Sequence, residues 1–150
     1  MYAQFGLLID GSWRTASDGR TFEVYSPATE QAVGTLPSAG EADENAALTA
    51  AGRSFPGWAR TPAWERAAIL RRTADVLRER IAETARIMST ETGKPLAEAE
   101  GEIRASADQF EWYGEEAKRI YGETIPGRNA DERLSVLYQP VGPCLALTAW

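Results

Sequence analysis

Histidine is absent from these 150 residues, and cysteine occurs once, at position 144. Without imidazole the chain lacks the usual general base near neutral pH and the commonest metal ligand. Neither a Ser/His/Asp nor a Cys/His catalytic arrangement can be built from it, and no metal site is expected. A single thiol forms no disulfide within the chain, which fits a reducing compartment. Positive charge is also scarce: 16 basic residues face 22 acidic ones, a formal charge of -6 with a pI near 4.8. That balance excludes the dense basic surface needed to displace counterions from a nucleic acid. The longest apolar run, Val141 to Trp150, is about half of the ~20 residues a membrane span needs, and no charged-then-apolar leader opens the chain. These absences lead us to expect a cytoplasmic protein whose partners are neither nucleic acid nor membrane.

Glycine loops for phosphate are missing too. Thr92-Gly93-Lys94 has the end of a phosphate-binding loop, but Met88 stands where the first glycine belongs and Pro95 where a Ser or Thr should follow the lysine. No G-x-G-x-x-G occurs either.

What is present reads as a sequence of distinct elements. Phe5–Ile9 and Ser12–Arg14 flank Asp10-Gly11, a dipeptide suited to the positive φ angles of a tight hairpin turn. Thr21–Tyr25 and Ala32–Leu36 predict a second pair, turning through Pro27–Glu30. Ser38 and Glu41 fit a capping box that opens a first helix, with Pro56-Gly57 ending it near Phe55 and Trp58 plugging the gap. Thr61 as N-cap and Pro62 at the first helical position begin a second helix. Its apolar stripe runs through Leu70, Ala74, Leu77, Ile81, Ala85 and Met88, and Gly93 stops it.

A third helix, about 27 residues long, starts at Pro95 and repeats Leu96, Ile103, Phe110 and Ala117 at intervals of seven, with Ala99, Ala107 and Gly114 between. The short link Glu91–Lys94 makes the two long helices antiparallel, so that arginines of one meet glutamates of the other. After a turn through Ile125–Asn129 the chain returns to a strand at Leu134–Tyr138. Pro140 ends or bends that strand.

Few side chains here suggest chemistry. Cys144 lies in an apolar run without a histidine, a helix N-terminus or an evident cation, so it reads as a small buried hydrophobe. Glu98, Glu100, Glu102, Glu111, Glu115 and Glu116 read as a solvated helix face partly neutralised by arginines. Phe110, Trp112, Tyr113 and Tyr121 read as packing residues.

The final run, Val141 to Trp150, has no polar alternation, the pattern of a strand covered on both faces of a parallel sheet. Such a strand needs neighbouring strands, and the chain supplies no second one of its type. The sequence therefore reads as the front portion of a larger α/β protein.

Ile9-Asp-Gly-Ser-Trp13, Tyr25-Ser-Pro-Ala-Thr29, Ala67-Ala-Ile-Leu70, Glu91-Thr-Gly-Lys-Pro95 and Pro140–Trp150 occur in an order and spacing that resembles the N-terminal portion of the aldehyde dehydrogenase superfamily. Phe110-Glu-Trp-Tyr113, Glu115–Arg119 and Ile120–Pro126 look most like its succinate-semialdehyde branch.

The resemblance implies an α/β fold. Residues 1–133 would form the first part of the cofactor-binding domain, with β-hairpins and long antiparallel helices. Residues 134–140 would be a strand of the oligomerisation element, and 141–150 the first strand of a Rossmann-like sheet, cut short. It also implies oxidation of an aldehyde, succinate semialdehyde or a similar short semialdehyde, with NAD or NADP, in a homodimer or homotetramer. In that family a cysteine thiolate adds to the aldehyde, hydride passes to the nicotinamide, and a glutamate-activated water hydrolyses the thioester.

Neither Cys144 nor any glutamate here matches those motifs, and the oxyanion asparagine would follow Trp150. No catalytic residue is therefore expected in this chain, which alone should be inactive. Leu147, Thr148, Ala149 and Trp150 match the strand end that approaches the cofactor's ribose and pyrophosphate side. Gly101 and Ala105 match the helix bordering the substrate entrance, with helix packing as the competing explanation. The alternative to an enzyme is a non-catalytic oligomerisation or binding module built on the helical hairpin. The choice between NAD and NADP stays open.

Overall fold

The computed structural model describes residues 5–148. It begins with two antiparallel hairpins. Leu7–Ile9 (β1) pairs with Ser12–Arg14 (β2), Leu8 lying opposite Trp13. Asp10 and Gly11 take φ values of 54° and 73° at the turn, as the dipeptide requires. Thr21–Tyr25 (β3) pairs with Ala32–Pro37 (β4), and the Ser26 carbonyl closes the expected turn by accepting the Thr29 and Glu30 amides.

Helix α1 spans Glu41–Arg60 and corrects two expectations. Its cap is not Ser38 with Glu41. The Ser38 amide donates to the Arg20 carbonyl and so still belongs to the β3–β4 ladder. Asp43 instead reaches back to the Gly40 amide at 3.1 Å and also accepts the Ser17 amide and hydroxyl. This ties the loop after β2 to the helix start and leaves Asp43 only 5% exposed.

Nor does Pro56 end the helix. An internal proline removes one hydrogen bond and crowds the carbonyl four residues earlier, a cost of about 3 kcal/mol. Here that residue is the exposed Gly52, so its freed carbonyl can face water. Trp58 accordingly sits within the helix and is 46% exposed rather than plugging a gap. Thr61 closes α1, its amide on the Trp58 carbonyl at 3.0 Å, and Pro62 takes the N-cap of the next helix.

The expected second helix is two: α2 over Ala63–Glu79 and α3 over Ile81–Thr92. Arg80, at φ -110°, marks the break, its amide shared between the Val76 and Leu77 carbonyls, and two 3.0 Å bonds from its guanidinium to Glu83 clip the joint. No glycine or proline marks this site in the sequence. Gly93, at φ 73°, ends α3 as expected.

Helix α4 covers Leu96–Glu116, 21 residues, shorter than the stripe suggested because Ala117–Arg119 tightens into a 3-10 turn. It runs antiparallel to α2 and α3. Gly114 packs by Ala67 at one end, and Ala85 clusters with Ala99 and Ile103 at the other. The seam consists largely of small buried residues: Ala67, Ala74, Ala85, Ala99, Ala107 and Gly114. Their size lets the backbones approach closely.

A third hairpin pairs Glu123–Pro126 (β5) with Arg133–Val136 (β6). Its first strand takes in Ile125 and Pro126, the opening residues of the expected turn, and β6 stops two residues before Tyr138. Residues 141–148 form no strand and are not covered, Val141 being 92% and Leu147 86% exposed. The reason is the one that made a lone buried strand untenable: among the described residues no neighbour pairs with this backbone.

Candidate functional site

Helix α4 presents two unlike faces. Ile103 and Ala107 are buried toward α2 and α3, whereas Gly101 and Ala105 are exposed on the opposite side. A Cβ built on Gly101 would meet no atom within 4 Å. Among the described residues, then, no neighbouring element packs on Gly101, and Ala105 is likewise exposed. Trp112, seven positions beyond Ala105, projects from the same open face and is also exposed.

Exposed ion pairs flank the seam between α4 and α2. Arg78 of α2 bridges Asp108 at 2.7 Å and Glu111 at 2.6 Å, and Arg71 meets Glu115 at 2.7 Å. Lys118 also donates to Glu115, at 2.6 Å, while its ammonium lies 5.1 Å from the centre of the Trp64 ring. Hydrogen bonds from Lys118 and then Arg71 hold the Glu115 carboxyl below its ordinary range. Glu100, Glu102 and Glu116 pair with Arg104, Lys94 and Arg119 respectively. The acidic face is thus largely neutralised, and among the described residues no three metal-ligating side chains converge.

Cys144 departs from its expected burial: it is exposed, with Sγ 3.5 Å from the Gly142 carbonyl oxygen. Leu147 and Thr148 lie in the exposed stretch after β6, apart from α4's open face in sequence and in element. Ala149 and Trp150 lie outside the described residues.

One feature escapes sequence reasoning altogether. A cavity of about 610 Å³ opens where Trp58 of α1 and Arg66 of α2 face Lys118, Tyr121 and Tyr138. Its walls come from three separate segments, so no local motif announces it.

Set beside known proteins, residues 13–150 match the model of the Aldehyde dehydrogenase family. The chain is 48% identical over 142 residues to a glutarate-semialdehyde dehydrogenase of Pseudomonas putida, covering 95% of this chain and 30% of that protein. It is 46% identical over 143 residues to the NADP(+) succinate-semialdehyde dehydrogenase of Escherichia coli K12, with the same coverages. A crystal structure of succinate-semialdehyde dehydrogenase from Burkholderia pseudomallei superposes with a TM-score of 0.88 at 43% identity, over 93% of this chain and 29% of that one. The chain therefore spans about 30% of the length of the relatives it matches.

Proposed function

Because this chain belongs to the aldehyde dehydrogenase family, in its succinate-semialdehyde branch, we propose that the whole protein oxidises a short aldehyde with a distal carboxylate to the diacid. Succinate and glutarate semialdehyde are the two substrates we favour, with NAD or NADP as acceptor. The observation that carries this reading is the 46–48% identity, over 95% of the chain, to relatives named for those two semialdehydes. The bound nicotinamide would supply the hydride acceptor. The part this chain plays is then positional: Leu147, Thr148, Ala149 and Trp150 form one edge of the cofactor site. Gly101 and Ala105 leave room on α4 for the aldehyde to enter. Both assignments agree with accessibility, since Gly101, Ala105, Leu147 and Thr148 are exposed.

The same reading makes the 150 residues alone inactive, since Cys144 does not carry the nucleophile's motif. It places the whole protein in the cytoplasm as a homodimer or homotetramer, with residues 134–140 in the interface. The described part of the chain has no helix long and apolar enough to cross a membrane. The test is a nicotinamide-reduction assay of the whole protein with succinate semialdehyde, glutarate semialdehyde and butanal. Turnover should be much faster with the two carboxylate-bearing aldehydes. Faster turnover of butanal would remove the substrate assignment, and no reduction with any aldehyde would remove the activity.

A further inference from the structure

We draw no further inference here: the strongest candidate, the cavity of about 610 Å³ where the α1–α2 junction meets Tyr121 and Tyr138, carries none because Arg66 is engaged by the Thr61 carbonyl and Lys118 by Glu115 and the Trp64 ring, and nothing in the structure shows what covers its apolar walls.

Discussion

The helical seam and the stretch after β6 are both apolar, yet only the first forms regular, buried structure. Helices α2, α3 and α4 satisfy their own backbone hydrogen bonds and need partners only for one stripe each. Alanine and glycine let those stripes meet at close range. Val141 to Thr148 is richer in large apolar side chains, but an extended backbone needs a neighbouring strand for every second amide. Apolar content therefore determines what a segment seeks to bury. Whether it is buried depends on a partner that can also pair its backbone.

The sharpest way to break this contrast is to overfill the seam. Ala85 is fully buried against Ala99 and Ile103, so Ala85→Leu should destabilise the chain by about 1–3 kcal/mol in urea unfolding. Leu147→Ala is the matched control, and it should move stability by less than about 0.5 kcal/mol. Equal losses for the two would mean that the exposed stretch packs in solution. Dye binding to apolar surface should be strong for the 150-residue chain; weak binding by a monodisperse sample would instead support the self-contained module.

A smaller effect separates the two faces of α4 by their glycines. Gly101 has open space where a Cβ would go, so Gly101→Ala should stabilise the helix by about 0.5–1 kcal/mol. At Gly114 the same atom would come within 3.3 Å of the Ala67 carbonyl oxygen, so Gly114→Ala should forfeit that gain or reverse it. A similar gain at both positions would show the seam to be loose.

Acid should act at the helix start. Hydrogen bonds from the Gly40 amide first, and then from Ser17, hold the Asp43 carboxyl below its ordinary range. A carboxyl with a lower pKa folded than unfolded adds stability above the unfolded value, about 3.9, and loses it as pH falls through the folded one. Asp43→Asn should therefore flatten the decline in stability below about pH 4. An unchanged slope would place the acid sensitivity elsewhere.

The smallest change is expected from Arg78→Ala. Its two pairs with α4 are exposed and screened by salt. The loss should be less than that of Ala85→Leu and should vanish in molar salt. A loss that persists there would assign Arg78's role to the packing of its stem.

Much of this architecture is legible because its causes are local. Asp10-Gly11, Gly93 and the turn after Ser26 act through their own backbone angles and amides. The antiparallel long helices follow from a four-residue link and complementary charges. The branch of the family is legible from the order of short motifs along the chain. What the sequence alone determines here is thus set by interactions within a few residues, or by patterns shared along the whole chain.

The tertiary structure decided the rest. It carried α1 through Pro56, where the carbonyl left without its donor belongs to an exposed glycine, and it broke the second helix at Arg80. It exposed Gly101 while burying Gly114 on the same helix, and it left Val141–Thr148 without a ladder. Each of these outcomes depends on which distant backbone or side chain arrives alongside, and residue identity does not encode that position by position.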